Sequence, residues 1–171
     1  MIKQILPLAA IAVAVVFAGS AWASDAGTLL KNATQINNSE IQMATLADSK
    51  AGDDQALKTF ANTLKADHQA NEQAVEALLR EKNLKLEGTE NPGTSSLSNL
   101  KGAAFNQAFL TDEVNDHEKA IREFKKARSE MSADPNMELY IEETIPVLEA
   151  HLHMAENLKK AETSEGKLAR Y

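Results

Sequence analysis

Residues 54–83 read DQALKTFANTLKADHQANEQAVEALLREKN. Apolar side chains recur in this stretch at alternating steps of four and three: Leu57, Ala61 and Leu64, then Val75 and Leu78. Such spacing places them on one stripe of an α-helix, so the stretch predicts a helix with one buried face. The stripe has a gap at His68 and Asn71, where the spacing calls for apolar residues. Before it, Gly52-Asp53-Asp54 predicts a tight turn, with an Asp to cap the helix that follows.

The same reading extends outward in both directions. Four helices are predicted, over about residues 28–51, 54–83, 103–131 and 135–162. Helix 1 has the seam Leu29, Ala33, Ile36, Met43 and Ala47; helix 3 has Leu110, Val114, Ile121, Phe124 and Met131; helix 4 has Met137, Ile141, Leu148, Ala155 and Leu158. Ser132-Ala133-Asp134-Pro135 predicts a second turn, with Asp as cap and Pro at the first helical position. Residues 84–102 form the one long connection and carry the loop signal Gly-Thr-Glu-Asn-Pro-Gly-Thr-Ser-Ser, then a short helical turn near Leu97–Leu100. Pro146 sits inside helix 4 and predicts a kink. The expected fold is all-α: an antiparallel four-helix bundle, ferritin-like in having one long connection between helices 2 and 3.

Composition narrows the function. The chain has 171 residues, 18 Lys+Arg against 25 Asp+Glu, and a net charge of −7. An acidic chain of this kind does not suit nucleic acid, whose affinity comes from Lys and Arg neutralising phosphates. The absence of Cys removes disulfides, thiolate metal sites, Cys nucleophiles and covalent haem attachment. No phosphate-cradling Gly loop and no Ser–His–acid motif occurs, and no residue is assigned a catalytic role.

Residues 1–23 read as a secretory signal peptide. Lys3 supplies the charged start, Ile5 to Ala18 the apolar core, and Ala21-Trp22-Ala23 the small-x-small cleavage site. The expected domain is 24–171, exported to a periplasm, with no membrane span after cleavage. Removal of Lys3 makes it one unit more acidic, and the only Trp leaves with the signal.

Each helical seam skips one position. The skipped residues are Glu40, His68, His117 and His151; the fourth histidine, His153, lies off the seams. At a rise of about 1.5 Å per residue, Glu40 and His68 stand roughly 18 and 22 Å from the Gly52 turn, and His117 and His151 roughly 23 and 24 Å from the second turn. All four are expected at mid-bundle, pointing inward. Imidazole and carboxylate together suit a transition metal such as Zn, Cu, Fe or Mn. Asp67 and Glu113 lie beside the same stripes as further ligands or as groups that orient the imidazoles. A metal-free reading stands beside this one: a Glu/His/Asn layer that fixes bundle register. The Glu-x-x-His pairs of di-iron carboxylate proteins are missing, because Lys65, Val114 and Leu148 precede the three histidines by three.

Four blocks of sequence carry a family resemblance. The first is Glu40-Ile41, Met43-Ala44, Leu46-Ala47 and Lys50-Ala51; the second is Phe60-Ala61, Asp67-His68 and Asn71. The third is Leu100-Lys101-Gly102, Phe105, His117, Ile121 and Phe124; the fourth is Thr144 to Leu148 with His151-Leu152. Over about residues 28–160 the chain resembles the ferritin-like domain-of-unknown-function family 4142, secreted bacterial proteins. The resemblance implies a ferritin-like bundle in the cell envelope and singles out Glu40, Asp67, His68, His117 and His151. The chain departs from the family pattern at Asn106 and Phe109, where Asp and Tyr are usual.

Three readings follow. The first is an exported bundle that binds a transition metal and serves metal handling or envelope and oxidative stress. The second is a metal-free stress or interaction module whose acidic surface meets a protein partner or a second copy of the chain. The third is a small oxidoreductase using the metal, although nothing in the sequence requires an enzyme.

Overall fold

The computed structural model describes residues 19–86 and 96–168. The charged start and apolar core of the expected signal segment, and most of the loop signal between helices 2 and 3, lie outside the described residues. Four helices and a 3-10 turn are present, and no strand occurs among the described residues. They are α1 (Gly19–Lys50), α2 (Gln55–Glu81), the turn Ser96–Asn99, α3 (Gly102–Glu130) and α4 (Pro135–Leu168).

The inner helix ends fall where local chemistry puts them. Asp54 accepts a hydrogen bond from the Leu57 N–H at 2.9 Å, a cap worth about 1 kcal/mol. Gly52 adopts φ +56°, a left-handed conformation that Gly enters without steric penalty. Asp134 caps α4 through the Met137 N–H at 3.2 Å and forms an ion pair with Lys82. Lys50 donates to the Ser98 and Leu100 carbonyls, both at 2.8 Å, which ties the end of the long connection to α1.

The outer ends run further than the spacing predicted. Helix α1 starts at Gly19, so Ala21–Ala23 lie in its first turns, and α4 continues to Leu168. The expected helix begins just after Gly27, yet α1 passes through this residue. One helical Gly costs about 1 kcal/mol relative to Ala, and burial of Ala26, Leu29 and Leu30 around it outweighs that. Helix α4 likewise continues through Pro146, whose ring is exposed.

Helix α1 packs along α2 and α3 along α4, while α2 meets α4 and α1 meets α3. The four helices thus surround one core in the order α1, α2, α4, α3. The core is divided in two. One apolar cluster holds Leu30, Val75, Phe124, Met137, Tyr140 and Ile141. The other holds Leu57, Phe60, Leu64, Phe105, Phe109 and Leu110. Phe105 and Phe109 stack with centroids 5.8 Å apart, and Phe60 meets Phe109 at 6.1 Å. Between the two clusters lie the buried polar residues Asn37, Glu40, His68, Glu113, His117 and His151. The gaps in the seams are therefore a layer, bounded by hydrocarbon at both ends.

Candidate metal centre

Helix α2 brings His68 to this layer, α3 brings His117 and α4 brings His151, each at most 3% exposed. Their ring centroids are 5.8, 5.4 and 5.3 Å apart. One nitrogen from each ring lies within 4.8 Å of the others.

Which nitrogens these are follows from the groups behind the rings. His68 Nδ1 lies 3.0 Å from Asn37 Oδ1. The orientation of the Asn37 amide is set by its Nδ2, which donates to Glu72 Oε2 at 2.9 Å and to Asn71 Oδ1 at 3.0 Å. Its oxygen therefore faces His68, and His68 Nδ1 must carry the proton. His117 Nδ1 donates to the Glu113 carbonyl at 2.9 Å. His151 Nε2 donates to the Asp67 carboxylate at 2.9 Å. A neutral ring has one N–H and one lone pair. The lone pairs are thus on His68 Nε2, His117 Nε2 and His151 Nδ1.

These lone pairs have no donor to accept from. His68 Nε2 is buried without a hydrogen-bond partner. His117 Nε2 and His151 Nδ1 stand 3.3 Å apart, and both protons of those rings are already committed elsewhere. Protonation is not an easy way out. Burial holds His68 well below its ordinary range, helped by His117 and His151. Burial, then the neighbouring His151, presses His117 down to about 4. A cation satisfies the arrangement. Two nitrogens bound at about 2.0–2.1 Å to one tetrahedral metal stand about 3.3 Å apart, which is the separation of the His117 and His151 nitrogens.

Glu40 lies elsewhere in the layer. It is 5% exposed and lies beside Glu113, which is 2% exposed. Their carboxylate oxygens fall within 4.8 Å of each other and of a His117 nitrogen, and this group includes neither His68 nor His151. Glu113 Oε2 is 3.5 Å from His117 Nδ1. Burial pushes Glu40 up to about 7, and burial plus the Glu40 charge raises Glu113 well above the ordinary range. Burial thus pushes both carboxyls towards their neutral forms.

The six expected site residues thus form two groups joined at His117. His68, His117 and His151 converge, and Asp67, with its side chain 44% exposed, orients His151 from the surface. Glu40 and Glu113 pair on the opposite side of the His117 ring. The seam reading missed the network behind His68. Thr34 donates to Glu72 at 3.0 Å, Tyr140 to Asn71 at 3.0 Å, and Asn71 to Thr144 at 3.1 Å. Asn37 was the findable member, since it stands one turn before Glu40 and is 2% exposed. Asn106 and Phe109, the departures from the family pattern, are outside the layer: Asn106 donates to Glu162 at 2.8 Å, and Phe109 is in the aromatic cluster.

The sequence model of the family described as "Domain of unknown function (DUF4142)" matches residues 14–158. The match covers most of the chain, and the chain belongs to that family. No curated protein and no solved structure matches it.

Proposed function

We propose that, as a member of this family, the chain is an exported four-helix bundle that binds a transition metal through His68, His117 and His151. The observation that carries this reading is the convergence of three lone-pair nitrogens whose opposite nitrogens are each held by an acceptor. Asn37, the Glu113 carbonyl and Asp67 are those acceptors. Such outer contacts fix the tautomer and raise ligand basicity, as in known carboxylate–histidine–metal arrangements. Three imidazoles favour Zn or Cu, with Fe and Ni next, and they leave a position for water or a further ligand. A cavity of about 20 Å³ on the α2–α4 side is lined by Asp67, His68, Asn71, Val147 and His151. It is large enough for about one water.

The bundle is read as antiparallel and ferritin-like. Support comes from the cross-helix bonds Thr34–Glu72 and Asn37–His68, in which residues nearly equidistant from the α1–α2 turn meet. Export rests on the signal-like residues 1–23, and a role in metal handling or envelope stress rests on the buried imidazole site together with export. No helix among the described residues is long and apolar enough to cross a membrane.

The test is equilibrium dialysis of the purified protein against Zn²⁺, Cu²⁺, Fe²⁺ and Mn²⁺ in turn, reading bound metal and thermal midpoint. One Zn²⁺ or Cu²⁺ per chain is expected, with a midpoint that rises with metal concentration by mass action. His68→Ala is expected to weaken binding at least a hundredfold. Failure of the wild type to retain any of these ions at micromolar concentration refutes the reading. Intact mass of the protein recovered from the cell envelope checks export, and a chain beginning at Ser24 is the expected product.

A further inference from the structure

The α1–α3 side of the bundle has its own opening. A cavity of about 280 Å³ lies between the two helices, lined by Gln35, Ser39 and Glu40 from α1 and by Asp116, Lys119 and Glu123 from α3. The small cavity that touches His68 and His151 reaches across the core and meets the wall of this cleft at Ile36; the cleft itself opens between α1 and α3 and includes neither of those residues. Its wall carries three acids and, among the described residues that line it, one base, Lys119.

Glu40 belongs to that wall yet is 95% hidden from solvent, and its Oε2 has no hydrogen-bond partner. Behind it, Glu113 also has a buried Oε2 without a partner. A buried carboxylate oxygen left unbonded is costly unless something positive meets it. Neither histidine nitrogen next to it answers that need, since His117 Nδ1 gives its proton to the Glu113 carbonyl and His117 Nε2 faces His151. The pair is thus an oxygen-donor group at the inner end of an acidic, solvent-filled cleft, and the His117 ring separates it from the nitrogen donors.

We propose that Glu40 and Glu113 form a second cation site, separate from the imidazole centre, that takes an oxygen-preferring divalent cation such as Mn²⁺ through the α1–α3 cleft. Carboxylate and water ligands suit Mn²⁺, Mg²⁺ and Ca²⁺, whereas imidazole favours Zn²⁺ and Cu²⁺. The cation meets the two carboxylate oxygens that have no hydrogen-bond partner, and Asp116 and Glu123 line the cleft that leads to them. The inference extends the reading of the layer as cation-binding, but it uses different donors and a separate cleft.

The experiment is a Mn²⁺ titration followed by the electron paramagnetic resonance signal of the free ion, on the purified protein before and after loading with one equivalent of Zn²⁺. One Mn²⁺ per chain is expected in both cases. Glu40→Gln, and independently Glu113→Gln, is expected to weaken Mn²⁺ at least tenfold while one Zn²⁺ is retained. His68→Ala is expected to remove Zn²⁺ and leave Mn²⁺ bound. Circular dichroism establishes that each variant folds; should one Gln variant not fold, the other carries the comparison. Absence of Mn²⁺ binding, a loss below tenfold in the folded Gln variants, or one-for-one displacement of Mn²⁺ by Zn²⁺ overturns the second site. A wild type that retains no Zn²⁺ instead refutes the imidazole centre, and the Mn²⁺ titration of the metal-free protein still decides the carboxylate site.

Discussion

On one side of His117, three neutral rings direct lone pairs at a common point. On the other, two carboxyls lie side by side, both pushed by burial towards the neutral form. The two halves of the layer are equally buried and share a ring, but they differ in how they are supported. Every imidazole has an acceptor fixing its outer nitrogen, whereas each carboxyl leaves one buried oxygen unmet. The first half presents lone pairs that a cation would meet directly. In the second, a cation would compete with protons.

They also respond to pH in opposite senses. In the unfolded chain the imidazoles protonate near 6.5, but His117 does so only near 4 in the fold. Between those values the unfolded state binds more protons, so the imidazole contribution to stability is present above 6.5 and is lost as pH falls towards 4. Glu40 protonates near 4.5 when unfolded and near 7 in the fold. Its contribution is present below 4.5 and is lost as pH rises to about 7.

The comparison can be broken most severely at Asn37. Asn37→Ala frees His68 to rotate and removes one of the two donors that Glu72 and Asn71 each have, leaving them Thr34 and Tyr140. The expected result is a 10- to 100-fold loss of Zn²⁺ affinity and about 1–3 kcal/mol of stability. Competition with a chelator and urea unfolding measure the two effects. Mn²⁺ binding at the carboxyl pair should be untouched by this change.

Glu40→Gln sharpens the contrast in pH. The variant loses the Glu40 limb between pH 4.5 and 7 while keeping that of Glu113, so its metal-free stability should fall less steeply with pH than that of the wild type. Relative to wild type it should gain on the order of 1–3 kcal/mol at pH 7.5 over its difference at pH 5. Urea midpoints at the two pH values read this directly, and a parallel shift at both would contradict the assignment.

Asp67→Asn is expected to have the smallest effect. Asp67 holds His151, but its side chain is 44% exposed, so water can take over part of its role. A loss of Zn²⁺ affinity of about tenfold is expected, with a change in stability below about 1 kcal/mol. A loss as large as that for Asn37→Ala would mean that the surface carboxylate binds the metal itself.

Much of this was legible in the chain. The four-three spacing, the Asp54 and Asp134 caps and the scarcity of internal Gly and Pro determined four helices and their inner ends, because those signals act within a turn or two of backbone. The polar gaps determined that Glu40, His68, His117 and His151 share one level, because helical rise is uniform. The outer ends of α1 and α4 were not legible, since packing around Gly27 overrode its local preference. Nor was the division of the layer. Sequence spacing fixes height along a helix, but not which neighbour a side chain faces across the core. Only the order of the helices around the core put Glu40 with Glu113 on one side of His117 and the remaining imidazoles on the other. Only the Asn37 network, joining α1 to α2 and α2 to α4, decided which nitrogen of His68 carries the proton.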